Sequence, residues 1–512
     1  MKIDRVTDSK LLRITNCFMG GRGLLLLMVI ASCLLLFSSA YRADTFPFTH
    51  DESLSFSIFF SDSPWRDTAN NHFLNTMLME VCSKLFGNAE VYLRLPNIIA
   101  HAVYLLCVIL LLQRLHSWSL RIFGFAVMNL NLFVLDFFFL ARGYGLALGF
   151  MMASIVLFLY AFERRHQDIL GVFLLFSVAA GCLSVFASFT LLNYLVSLLA
   201  VSFLMMSISD RITKPPYYRL KALVALLTVS GVSLYFVLKK LFELRDDAQL
   251  YFGGSDGFVS NTVKSLIASS LYTGGFSDES LMTISVVVVL FIILLFVVTA
   301  RMAMTNRELC LPSMVFLIII IAVMATIAQH YVMGVLFPIE RAAVYLLPLT
   351  GCASLLAMDW MSCNMKSVFL KKAVPVLAVG GAAVIVVYFF INYGFDKCYT
   401  WGYDKHNKNV VEIIRKDAQV SYPDEIVSIG AKFLFEPSLN FYRFTNSHNW
   451  FWPITRDQTN RYYYNYIYTF ADEITEGQLA YYRVLAQFPD IGTVVLGIDP
   501  VRFAALRRNS TL

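Results

Sequence analysis

Two adjacent carboxylates follow a histidine at His50-Asp51-Glu52. Such a pair can take a proton from a hydroxyl or hold a cation near a membrane face. Equally, an acid at this point can cap the helix that follows. Asp136 and Arg142 lie within NLFVLDFFFLARGYGLALGF, where a charge among Phe and Leu costs roughly 2.5–3.5 kcal/mol at a membrane helix centre and less near its ends. That cost is offset by a binding site or by pairing of the two residues with each other, and both readings stay open. Arg341, in LFPIERAAVYLLPL, suits an anionic phosphate, or it snorkels to the headgroups. Asn71 and His72 open a helical pattern. The N–H groups at a helix start favour an anion, although a solvated histidine also fits there.

The elements that must position these residues are read from composition. Of 512 residues, 58% are hydrophobic and 15% charged, which excludes an ordinary soluble domain. About 20 apolar residues cross a ~30 Å hydrocarbon layer. Apolar segments occur near 23–41, 96–113, 120–140, 143–162, 168–187, 189–208, 221–241, 282–300, 311–329, 340–358 and 373–392, giving about eleven transmembrane helices. With the N-terminus (1–22) cytoplasmic, the inner loops hold Arg114 and Arg121, Arg164 and Arg165, Arg211 and Lys214 with Arg219 and Lys221, Arg301 and Arg307, and Lys366, Lys371 and Lys372. This follows the positive-inside rule and places the C-terminal segment outside, in the periplasm of an inner-membrane protein. A cleaved leader is the less simple reading of the basic, then apolar, start.

Three outer segments are long: 42–95, 242–281 and the tail 393–512. In the first, Phe73, Leu74, Met77, Leu78, Val81 and Leu85 recur at helical spacing, as on a helix lying along the membrane surface. The tail is charged and aromatic. EIVSIGAKFLFEPSLNFYR reads as a strand and then a helix, and GTVVLGIDP as another strand, so it is expected to be a small periplasmic α/β domain. The nine cysteines show no metal-ligand spacing; Cys82 and Cys398 are the outward-facing candidates for a bridge. Gly145 and Gly149 form a small-xxx-small pair suited to helix packing. Nucleotide-binding fingerprints are absent, and nothing points to nucleic acid as a partner.

The order of these pieces resembles the GT-C superfamily of membrane glycosyltransferases. The pieces are the acidic pair after the first span, NNHFLNTMLMEVCSKLFGNAEVYLRLPN, LDFFFLARGYGLAL, and PIERAAVYLLPL before an outside C-terminal domain. Within the superfamily the chain is most similar to the bacterial branch of the protein O-mannosyltransferases and the lipid A aminoarabinose transferase. The likeness covers about 20–395, and LFG-x-x-E-x-x-x-RLP, Leu85 to Pro96, is its most specific stretch. It implies an all-α polytopic catalytic domain (23–392) that transfers a sugar from a polyprenyl-phosphate donor, with inversion, at the outer face. The first-loop acid of that family maps onto Asp51, with Glu52 beside it, and a second acid onto Asp136. His72 matches the basic residue of a KPPL or HPPL segment, although Asn71-His72-Phe73-Leu74 lacks the prolines. Arg341 matches a positive residue near the carrier phosphate, and Arg142 is assigned with it. A divalent metal, if used, would sit at Asp51 and Glu52. The acceptor is a lipid, glycan or protein, amid membrane lipids.

The chemistry is consistent with this from below. An acceptor hydroxyl must lose its proton as it attacks, so a carboxylate is needed within reach, and an oxocarbenium-like centre favours nearby carboxylates. A transporter or flippase of lipid-linked sugars is the alternative. It should carry ionisable residues or broken helices near mid-membrane, and in the apolar segments as drawn only the polar Asn193 stands out.

Overall fold

A computed structural model describes residues 21–499 except 60–66, 166, 168, 209–215, 248, 250–251, 273, 307–309, 365–367, 447–448 and 457–463. Arg211, Lys214, Arg307 and Lys366, used above for orientation, lie outside the described residues, as does most of the 1–22 segment. The chain divides into two compact units. One comprises Met1–Ala40, His72–Met77 and Leu95–Tyr393; the other comprises Tyr41–Asn71, Leu78–Arg94 and Gly394–Leu512.

The first unit is a bundle of apolar helices. Along the whole chain run α1 (Arg22–Thr45), α2 (His50–Ser57, which belongs to the second unit), α3 (Phe73–Phe86), α4 (Glu90–Leu112), α5 (Trp118–Asn129), α6 (Leu132–Phe139), α7 (Gly143–Glu163) and α8 (Leu170–Ala187). They are followed by α9 (Leu192–Ile208), α10 (Pro216–Asp246), α11 (Lys264–Leu271), α12 (Asp278–Asn306), α13 (Leu311–Met333), α14 (Leu346–Asn364) and α15 (Val368–Asn392). Among the described residues ten helices are long and apolar enough to cross a membrane, eleven if the bent pair α5–α6 is one span. The protein is a multi-pass membrane protein, with the expected helix count.

Three spans differ in detail from their apolar runs. The run at 120–140 is bent by 57° between α5 and α6, because Asn131 starts a new helix by accepting from Val134 N at 3.2 Å. The run at 96–113 begins earlier, at Glu90, since Glu90, Arg94 and Asn97 are buried and hydrogen-bonded rather than solvated. The run at 340–358 begins later, at Leu346. Its first residues form a 3-10 turn, Glu340–Ala342, with Glu340 at φ +45°.

Close backbone approach holds the bundle. A Cβ on Gly145 would stand 2.3 Å from Phe137 O, and one on Gly149 2.8 Å from Ala100 O, so the small-xxx-small pair packs α7 against α6 and α4. Asn193 and Gln329 exchange amide hydrogen bonds at 2.9 and 3.0 Å, and Asn193 also donates to Thr326 Oγ1 at 2.9 Å. On α3, Phe73, Met77, Val81 and Leu85 are exposed, whereas Leu74 is buried and Leu78 half-buried, so the exposed apolar stripe is narrower than the six positions expected.

The second unit contains α2, α16 (Asn407–Ser421), α17 (Glu436–Thr445) and a four-stranded sheet of order β1-β2-β4-β3. The strands are β1 (Ile429–Ala431), β2 (Tyr466–Phe470), β3 (Tyr482–Phe488) and β4 (Thr493–Ile498). β1 runs parallel to β2, and the other pairs are antiparallel. The strand–helix reading of EIVSIGAKFLFEPSLNFYR corresponds to β1 and α17, and GTVVLGIDP to β4. β2 and β3 went unread, because tyrosines and charges mask their alternation. Cys82 is a free thiol, so the bridge offered between Cys82 and Cys398 does not form.

Candidate active site

In the second unit, Asp51 and Glu52 occupy the first turn of α2, with Thr49 as N-cap in a capping box. Glu52 is wholly buried, and its carboxylate is spoken for. Arg94 donates through Nε to Oε1 at 2.8 Å and through a terminal nitrogen to Oε2 at 2.7 Å. Thr49 N and Oγ1 donate to Oε2, each at 2.9 Å. The other Arg94 N–H groups reach the carbonyls of Ala43, Phe46 and Pro47 at 2.7–3.0 Å. One guanidinium therefore fixes the chain on both sides of the α2 start, a task that needs the planar fork of Arg.

The same helix start is held from the chain's C-terminal region. Asp404 Oδ2 accepts His50 N at 2.8 Å, across 354 residues. His50 Nδ1 donates to Leu434 O at 2.8 Å. Phe48 N donates to the Tyr442 hydroxyl at 2.8 Å, and Ser438 Oγ donates to Phe48 O at 2.6 Å. Phe48 stacks on Phe441 at 4.1 Å. Burial, aided by the charges of Asp51 and Glu52, pushes the Asp404 carboxyl well above the ordinary range, against the pull of the His50 N–H and Asn407. Burial pushes His50 down, with Asp51 opposing. Asp51 is itself buried and accepts from Asn70 Nδ2 at 3.2 Å.

In the first unit, Asp136 on α6 accepts from the Tyr272 hydroxyl at 2.9 Å. Tyr272 closes α11 in the left-handed region, φ +57°. The other end of α11 holds the 340 turn, where Ser265 Oγ accepts from Glu340 N at 2.9 Å. Among the described residues Tyr272 and Glu340 are the only non-glycine residues with positive φ. Such strain persists where surrounding contacts impose it, often at functional sites. Arg341, next to Glu340, lies over the Phe252 ring at 4.9 Å.

His72 is buried, with Nδ1 donating to Ala187 O at 3.0 Å and its ring against Tyr144 at 4.6 Å. Tyr144 in turn packs on Phe137, beside Asp136, at 5.0 Å. Arg142 is buried as the N-cap of α7, next to the glycine against which His72 packs. His72, Arg142 and Asp136 thus share one neighbourhood, which α11 connects to the Arg341 turn. Behind it, Asn97 donates to Asn75 Oδ1 at 2.8 Å and accepts from Leu146 N at 3.1 Å, while Asn75 donates to Ala141 O at 2.8 Å.

Sequence reasoning missed Arg94, Asp404, Tyr272 and the asparagine pair. Arg94 had a signal, being an arginine at the mouth of an apolar run inside RLP. Asp404 had none. His101 was also missed: with α4 starting at Glu90 it falls near mid-helix, stacked on Phe138 at 4.4 Å. Among the described residues neither ring nitrogen has a hydrogen-bond partner. An ionisable residue therefore does lie within a span, and its absence cannot count against a transporter.

No protein-family model and no curated protein matches the chain. Solved structures do. ArnT from Cupriavidus metallidurans in the apo state superposes with a TM-score of 0.50 at 13% identity, covering 93% of this chain and 97% of that one. The same protein bound to undecaprenyl phosphate gives 0.47 at 14%, covering 93% and 98%. The apo oligosaccharyltransferase of Archaeoglobus fulgidus gives 0.41 at 11%, covering 86% and 69%. The apo ArnT match shows a shared fold, so the chain has an ArnT-like architecture of many apolar helices with a small C-terminal sheet.

Proposed function

We propose that the protein is a membrane glycosyltransferase that moves a sugar from a polyprenyl-phosphate carrier to an acceptor hydroxyl at the outer face. One observation carries this reading: Asp51 is a buried carboxylate on a helix start immobilised by Arg94, Asp404, Leu434 and Tyr442, in a chain with the ArnT fold. A rigidly held carboxylate is what proton abstraction in a transition state requires.

In the proposed step the acceptor O–H gives its proton to Asp51 as its oxygen bonds to the anomeric carbon. The carbon–oxygen bond to the carrier breaks on the opposite face, so the configuration inverts. The electron pair leaves with the polyprenyl phosphate, whose charge is met by His72, Arg142 and Arg341. Glu52 is given the role of orienting Asp51 through Arg94 rather than of a second base. With Glu52 committed to Arg94, the two acids are poorly suited to chelate a metal together. Asp136 and Tyr272 are assigned to the sugar hydroxyls.

The test is turnover of the purified full chain with a panel of polyprenyl-phosphate sugars, the modified acceptor being identified by mass spectrometry. Asp51→Asn is expected to lower turnover by about 10²–10⁴-fold with expression and Tm unchanged; near-normal turnover would defeat the assignment. Movement of lipid-linked sugar across vesicles that persists in Asp51→Asn would instead favour the transporter reading, to which the buried His101 lends an observation.

A further inference from the structure

His116, Asp359 and Cys363 bring a nitrogen, an oxygen and a sulfur ligand together, each ligand atom within 4.8 Å of the others. Among the described residues this is the trio of metal-ligating side chains that meets such a distance. The placement has a simple origin. Asp359 and Cys363 are four apart near the end of α14, hence one turn apart on one face. His116 comes from the loop between α4 and α5.

Asp359 has a structural task already. Its Oδ1 accepts His116 N at 2.9 Å and Ser117 N at 3.0 Å, which caps the start of α5. That accounts for Oδ1, while Oδ2 faces the imidazole, which turns back to hydrogen-bond it. His116 Nδ1 is 2.9 Å from Asp359 Oδ2. This is close to the ~3.3 Å between two ligands of a tetrahedral ion with ~2.0 Å bonds. The backbone bonds to Oδ1 fix the carboxylate as an outer shell would. His116 and Cys363 are exposed, so an ion has an entry path. The neighbouring arginines are engaged elsewhere: Arg114 pairs with Glu163 at 2.7 Å, and Arg121 donates to Leu115 O.

We propose that His116, Asp359 and Cys363 bind one divalent transition-metal ion of zinc type, fastening the α4–α5 loop to the end of α14. A mixed N, O, S set selects such an ion over Mg²⁺ or Ca²⁺, which take oxygen. Three protein ligands leave the fourth position to water. Binding requires the thiolate and the unprotonated imidazole nitrogen, so it releases protons and strengthens as pH rises.

The experiment titrates chelator-treated full-length protein in detergent with Co²⁺ and reads the near-ultraviolet thiolate-to-cobalt absorbance. Wild type is expected to show the band, saturating at one equivalent and abolished by added Zn²⁺. Cys363→Ser, which leaves the Asp359 cap intact, should lose it, and His116→Ala should weaken Co²⁺ binding by about tenfold or more. Zn²⁺ should raise the Tm of wild type and not of Cys363→Ser. No thiolate band in wild type, or an equal band in Cys363→Ser, would overturn the proposal and leave Asp359 as a helix cap only.

Discussion

Asp51 and Glu52 are adjacent, yet helical geometry sends their side chains in different directions. Glu52 turns inward to Arg94 with both side chains wholly buried, while Asp51 meets Asn70. Breaking a buried pair by removing one partner costs about 3–5 kcal/mol, because it strands the other charge. Arg94→Met should therefore lower Tm sharply in detergent, and Arg94→Lys should rescue little, since an ammonium lacks the fork. If Arg94→Lys matched wild type in both Tm and turnover, the positioning role would be lost. His50 adds a pH dependence. Burial holds its folded pKa below the unfolded value of about 6.5, so the unfolded chain takes up the proton first as pH falls. The stability His50 contributes is present above pH ~6.5 and lost below it, with a slope of at most ~1.4 kcal/mol per pH unit. Asp404, whose carboxyl is raised, works oppositely: its contribution is lost as pH rises through its folded value. The clean readout is a difference: the Tm advantage of wild type over His50→Gln should shrink from pH 7 to pH 5, and a constant gap would refute the assignment.

At the scale of elements, the start of α7 decides where His72 and Arg142 stand. A Cβ on Gly143 would lie 2.0 Å from Ala187 O and 2.7 Å from His72. Overpacking of this kind costs about 1–3 kcal/mol, so Gly143→Ala should lower both Tm and turnover. Gly380→Ala, in α15 with nothing within 4 Å of the added methyl, should lower neither. Equal behaviour of the two variants would mean that the α7 start is not the constraint described. The bend before α6 has a similarly local cause. Asn131 caps a new helix, and Asp136, one turn further on, meets Tyr272.

Across the whole molecule, the positive-inside pattern predicts an orientation of the spans with the C-terminal segment outside, and we propose that orientation. In intact cells, Val420→Cys, highly exposed on α16, is expected to react with a membrane-impermeant maleimide, whereas Cys363 reacts only after permeabilisation. The reverse pattern would invert the topology and remove the proposed site from the outer face. Two further links were decided by the fold: residues 41–71 and the C-terminal region belong to one compact unit, and Asp404 reaches the helix that carries Asp51.

The chain by itself determined that it is a multi-pass helical membrane protein and about how many helices it has, and its motifs pointed to the architecture it shares with ArnT. Burial in lipid forces long apolar runs, and these are legible one at a time. It also pointed to Asp51, Asp136, His72 and Arg341 as residues out of place in apolar or loop settings. Only the tertiary structure decided that Glu52 belongs to Arg94, that Tyr272 meets Asp136, and that Asp404 holds the start of α2. Those pairings join residues far apart in sequence and leave no local period, because a hydrogen bond constrains two side chains and not the residues between them.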